Sequence, residues 1–163
     1  MKQNTFSNLQ LTTLVVLRFI IGWHLLYEGL SKLLNPNWSS VSFLKESKWI
    51  LSGFSDWIIS NSGVLQVVDF LNTWGLISIG ISLILGLFAR NASIVGAVLL
   101  MMYYLNNPPL IGLEYSIPGE GNYIVVSKTL IEAITLFVLS LFPTSQIIGL
   151  DLFISNKKNR KSE

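Results

Sequence analysis

LQLTTLVVLRFIIGWHLLYEGLSKLL, residues Leu9–Leu34, is long and apolar enough to cross a bilayer as a helix, which takes about 20 residues. Four titratable side chains sit inside it: Arg18, His24, Glu28 and Lys32. On insertion scales a charge near the centre of a membrane helix costs roughly 3 kcal/mol. At ~100° per residue, His24, Glu28 and Lys32 step round the helix by about 40° each, and Arg18 lies about 40° beyond Lys32. All four fall within an arc of about 120°. One polar stripe therefore faces inward, and the remaining surface is free to face lipid. Such a stripe needs partners, water or a chemical task.

The rest of the chain agrees with a membrane setting. Of 163 residues, 51% are hydrophobic and 12% charged, about half the charged share of a soluble domain. Mean hydropathy is +0.57. This predicts a single integral membrane domain over residues 1–163. A net charge of +2 is too small to point to nucleic acid. Without cysteine, the chain by itself makes no disulfide, thiol redox centre or cysteine-ligated cluster. Its single histidine excludes a bis-histidine haem within one subunit. Arg18 interrupts the first apolar run and no small-x-small pattern follows, so the run reads as a retained helix rather than a cleaved signal.

Taken in order, the chain predicts an all-α integral membrane protein, a four-helix transmembrane bundle with a short interfacial helical cap between its first two spans. The spans are expected over residues 9–34, 63–88, 92–106 and 123–142. Asn35-Pro36 stops the first, Ala89-Arg90-Asn91 makes a tight turn, and Pro108-Pro109 stops the third. Residues 37–62, with Trp38, Phe43, Trp49, Phe54 and Trp57 among polar residues, suit one or two short helices at the headgroup level. Glycines 75, 80 and 86 read as helix-packing positions. Residues 107–122 form a loop with Glu114 and Glu120, and residues 144–163 a basic tail. Lys2, Arg90, Lys157, Lys158, Arg160 and Lys161 then share one side, which the positive-inside rule makes the cytoplasm. Both termini are expected there, in the cell membrane.

Alternating helix direction allows depths to be compared. His24 falls near mid-membrane, Glu28 and Lys32 further out, Asp69 and Asn72 in the outer half of the second span. Tyr103, Tyr104 and Asn106 close the outer end of the third, Lys128 lies in the outer half of the fourth, and Glu132 near its middle. These charges can serve the fold alone: Glu28, Asp69 and Glu132 can pair with Lys32, Lys128 and Arg18, and the two lysines can snorkel to the interface. They can equally line a pocket for a polar head with a hydrophobic tail, and a quinone suits it. In that case His24, Glu28 and Glu132 are the candidate proton-handling groups. Arg18, Lys32, Asp69, Trp74, Tyr103, Tyr104 and Lys128 are candidate contacts to the ring. No metal site is expected, since no second histidine or cysteine joins the i, i+4 pair His24 and Glu28.

GWHLLYEGLSKLL (Gly22–Leu34), NWSSVSFL (Asn37–Leu44), VVDFLNTWGLISIGISLILGLFAR (Val67–Arg90), MMYYLNNPP (Met101–Pro109) and NYIVVSKTLIE (Asn122–Glu132) resemble the DoxX family, as does the Gly-Leu-Asp at 149–151. The likeness runs over roughly residues 10–151 and is nearest to the DoxD-like branch, the small membrane subunit of thiosulfate:quinone oxidoreductase. It implies a quinone as cofactor, thiosulfate or a related outward-facing reductant, and a second subunit resembling DoxA. The alternative is a non-catalytic membrane anchor or assembly component of a partner complex. Homo-oligomerisation is compatible with either. Glu132 is the deepest acid, and Arg18 the cation least able to escape from its depth. An Arg18–Glu132 salt bridge between the first and fourth spans is therefore expected, with His24 close by.

Overall fold

The structure is a computed structural model and describes residues 6–113, 115 and 124–153. Among these residues it is all-helical. Helix α1 (Asn8–Leu33) begins at a capping box in which Ser7 and Gln10 each accept a hydrogen bond from the other's backbone N–H. Two short helices follow, α2 (Val41–Lys45) and α3 (Ser52–Ser60), where the sequence suggests a cap. Helix α4 (Ser62–Leu85) returns alongside α1. Helices α5 (Ala89–Asn106) and α6 (Lys128–Leu141) pack against each other, α5 also against α4 and α6 more lightly against α1. A 3₁₀ turn at Thr144–Gln146 leads to the chain around residue 150. Glu114, Glu120, Tyr123 and the basic residues 157–161 lie outside the described residues.

Two boundaries differ from the hydropathy reading. The second and third long helices meet at Gly86-Leu87-Phe88, not at Ala89-Arg90-Asn91, which instead form the first turn of α5. Gly86 takes the left-handed conformation (φ 65°), which stops α4, and Phe88 repeats it (φ 51°). The fourth long helix starts at Lys128 rather than near Tyr123, because Ser127 caps it by accepting from the Leu130 N–H.

The seam between α1 and α4 explains their direction and spacing. Gly22 and Gly29 of α1 face Gly80, Leu83, Ile77 and Thr73 of α4, so residues advancing along one helix meet residues retreating along the other. A Cβ on Gly80 would come within 2.6 Å of the Leu26 backbone nitrogen and 2.7 Å of the Gly22 carbonyl oxygen. Small residues let membrane helices approach to backbone contact, where dispersion and not the hydrophobic effect holds them. The core is then filled from all four long helices, with Leu25, Leu76, Leu83, Leu100 and Leu136 nearly or fully buried.

The outside is as apolar as the inside. Phe19, Trp23 and Tyr27 on α1, Phe70 and Leu71 on α4, Val95 and Val98 on α5, and Ile131, Ile134 and Phe137 on α6 are all exposed. A water-soluble protein does not leave such surface on every long helix. Helices α1 and α4, 26 and 24 residues long, are by length and composition able to cross a membrane.

Gly80→Ala is expected to destabilise the bundle by about 2 kcal/mol, because the new methyl meets backbone that cannot step aside. Gly75→Ala is the control. Nothing lies within 4 Å of that position, and the exchange should leave stability unchanged or slightly raised. Thermal melting of both variants in detergent reads the difference.

Candidate functional site

The polar stripe on α1 faces two places. The three nearer the C-terminus of α1, His24, Glu28 and Lys32, line a cavity of about 200 Å³ with Tyr103 of α5 and Lys128, Thr129 and Glu132 of α6, over a floor of Leu25, Leu76 and Leu100. Every wall follows from helix periodicity. His24, Glu28 and Lys32 are one turn apart on α1, as are Lys128 and Glu132 on α6.

The ion pairs in this cavity are loose. His24 Nε2 stands 3.4 Å from Glu132 Oε1, Lys128 Nζ 3.9 Å from the same oxygen, and Lys32 Nζ 3.8 Å from Glu28 Oε2. Charge-assisted hydrogen bonds close to about 2.7–2.9 Å. The groups therefore share charge while retaining hydrogen-bonding capacity for a guest. The Glu132 side chain is 14% exposed and that of Lys128 61%, so the acid is fixed in the cavity while the lysine reaches outward. Lys32 is also held by aromatic faces, lying 5.4 Å from the Trp38 ring centroid and 6.0 Å from that of Tyr103.

A second, roomier cavity of about 490 Å³ shares Glu28, Lys32 and Tyr103 with the first and opens among Asn35, Asn37, Trp38 and Ser39. Polar valence is left over where the two meet. Tyr103 Oη and Asn72 Oδ1 are buried without a hydrogen-bond partner, although the Asn72 side chain stands near the Tyr103 hydroxyl. An orphaned buried donor and acceptor are costly unless something fills them.

Four expected site residues are elsewhere. The Asp69 carboxylate accepts from the Ser39 hydroxyl at 2.8 Å and from the Ser40 N–H and hydroxyl at 2.8 and 2.5 Å. That fastens the α1–α2 connection to α4 and leaves Asp69 little capacity for a ligand. Trp74 is exposed and leans on Phe70 at the outer surface. The Tyr104 hydroxyl donates to the Val125 carbonyl at 2.8 Å, joining α5 to the entry of α6.

Arg18 is the fourth, and the expected Arg18–Glu132 bridge is not formed. The two antiparallel helices put His24 opposite Glu132, and Arg18 lies six residues, about 9 Å of helix, further toward the N-terminus. Its guanidinium instead reaches past the end of α6, donating to Thr144 Oγ1 at 3.1 Å and the Ile148 carbonyl at 2.8 Å. The side chain is buried there with the Asp151 carboxylate nearby. Asp151 in turn accepts from the N–H groups of Phe88 and Ala89 at 2.7 and 3.3 Å, so it caps α5. Gly149 packs on Gly86, and Leu150 and Asp151 donate to the carbonyls of Leu85 and Gly86.

Sequence reasoning undervalued Asn72 and Asn106. Asn106 is buried, accepts from the Ser55 hydroxyl at 2.7 Å and donates to the Phe43 carbonyl at 3.3 Å, tying the cap to α5. The available signal was an amide at a core position in an apolar run, which must find partners.

The DoxX family profile matches residues 13–105, more than half of the chain. That segment includes His24, Glu28, Lys32 and Tyr103 but not Lys128 and Glu132. No curated protein and no solved structure matches.

The revised pairing has a thermodynamic signature. In a double-mutant cycle Arg18→Met and Glu132→Gln should add to within about 0.5 kcal/mol, whereas Arg18→Met and Asp151→Asn should couple by more than that. Equilibrium unfolding in mixed micelles measures both. A large coupling in the first cycle would restore the Arg18–Glu132 bridge.

Proposed function

The chain belongs to the DoxX family, and from that premise we propose that it is the quinone-reactive membrane subunit of an oxidoreductase. The observation that carries this is the cavity where His24, Glu28, Lys32, Tyr103, Lys128 and Glu132 converge with open ion pairs. All four long helices cross the membrane in this reading, with both termini cytoplasmic. Helix α6 supplies only about 21 Å from its 14 residues. Its first turn opens on the polar cavity, where irregular backbone is tolerated at membrane depth.

A bound quinone supplies a two-electron, two-proton acceptor, and the electrons come from an outward-facing reductant such as thiosulfate through a DoxA-like partner. The chain's own groups bind and manage protons. Lys32 and Tyr103, which line both cavities, would hold the ring by donating to its oxygens. His24 and Glu132, 3.4 Å apart, are close enough to pass a proton between them. Glu28, 45% exposed at the side chain, links the cavity to the larger opening and thus to water. The leucine floor keeps the site closed to the core below.

Purification in mild detergent followed by solvent extraction should recover a quinone with the protein. Glu132→Gln, which retains shape but cannot carry the proton, should slow quinone reduction by about 10²-fold without lowering the melting temperature by more than a few degrees. A preparation that carries no quinone and takes up none when it is added would instead make the chain a membrane anchor whose charges serve only the fold.

A further inference from the structure

We propose that the apolar chamber beneath the cap is the tail site of the membrane-borne ligand, and that Asn72 and Tyr103 hold its head at the chamber's inner end. The chamber measures about 260 Å³ and lies between α2–α3 and α4–α5, with Leu51, Ile58, Val68 and Leu99 in its wall. It shares Asn72 and Tyr103 with the larger polar cavity, and Tyr103 also lines the proton-handling one. Three spaces of different chemistry thus meet at one tyrosine.

Three observations assign the occupant. The chamber's lining is almost wholly carbon, so it suits a chain and not a ring bearing oxygens. Its volume falls just below the roughly 300–1,000 Å³ of sites that enclose a whole small molecule, which fits one segment of a larger ligand. Its outer rim is formed by Phe54, Leu71 and Met102, all exposed on the apolar surface of the bundle. The mouth therefore faces hydrocarbon, and a tailed molecule can enter sideways from the membrane without passing through water. At the inner end the Tyr103 hydroxyl and the Asn72 side chain stand beside each other as a buried donor and acceptor without a well-formed hydrogen bond between them, so both can turn to a guest. A head that offers both, as a hydroxyl does, satisfies the pair.

This rests on the quinone reading above, and the test separates the two. Affinity is measured with the full chain in detergent for a dimethoxy-methyl benzoquinone carrying a decyl tail and for the same ring without one. Comparing each variant with its parent for one ligand cancels that ligand's partition into micelles. Val68→Phe, which fills the chamber from α4, should weaken the tailed compound by roughly tenfold or more and leave the tail-less ring unchanged, since buried methylene contacts are lost only by the former. Leu51→Phe fills it from the cap and should do the same, which keeps the test open if one variant fails to fold. Asn72→Leu should weaken both compounds by roughly tenfold in their reduced, hydroxyl-bearing form, which alone can donate to the Asn72 carbonyl. If both ligands bind the parent but the filled variants treat them alike, the tail site is wrong and the quinone reading stands. If neither ligand binds the parent chain, both fall together.

Discussion

The contact of α1 with α4 through Gly22, Gly29 and Gly80 sets the rotation of the first helix, and the placement of the four charged or titratable groups on that helix follows from it. With the glycine face turned to α4, Arg18 lies about 40° away, Lys32 about 80°, Glu28 about 120° and His24 about 160° round the same side. The stripe thus begins beside the glycine seam and winds toward α6. A bulkier seam would turn the helix and carry the stripe into lipid or into the leucine core. The glycines, chemically silent, decide where the chemistry is.

A second constraint divides the stripe by height. Antiparallel packing lets α6 meet the middle of α1 with Glu132, while the segment after α6 meets its lower part with Thr144 and Ile148. One helix therefore serves a polar cavity at one end and a clasp at the other. The clasp is built for closure. Arg18 binds the chain after α6, Asp151 caps α5, and Gly149 rests on Gly86 at the α4–α5 turn. The cavity is looser, with its charges held at 3.4–3.9 Å. The clasp is held by hydrogen bonds of 2.7–3.3 Å, although Arg18 Nε within it is buried without a partner.

Much of this was legible in the sequence, for particular reasons. The stripe was readable because four titratable residues in an apolar run have no other face to share. The convergence of His24, Glu28, Lys32, Tyr103, Lys128 and Glu132 followed from alternating helix direction and a rise of about 1.5 Å per residue. The α4–α5 turn was misplaced by three residues because apolar residues continue through it, and the left-handed Gly86 that stops α4 leaves no trace in hydropathy. Arg18 was given the wrong partner because depth alone was counted. A carbonyl and a hydroxyl beyond the end of α6 do not appear in a tally of opposite charges. Trp74 and Tyr104 were assigned by type, whereas their direction depends on a helix rotation that only the glycine seam determines. Asp69 looked like a free acid until the backbone of Ser40 arrived beside it.

The Arg18 clasp also has a consequence for how such a chain is made. Its two hydrogen-bond partners lie 126 and 130 residues later in the sequence. When α1 leaves the translocation machinery, its arginine has neither of them, and a lone cation at that position costs roughly 3 kcal/mol. Until Thr144 and Ile148 are synthesised, α1 carries that cost without the two partners that offset it. The order of synthesis thus leaves it to the last turn of the bundle to complete the pairing of a charge made near the beginning.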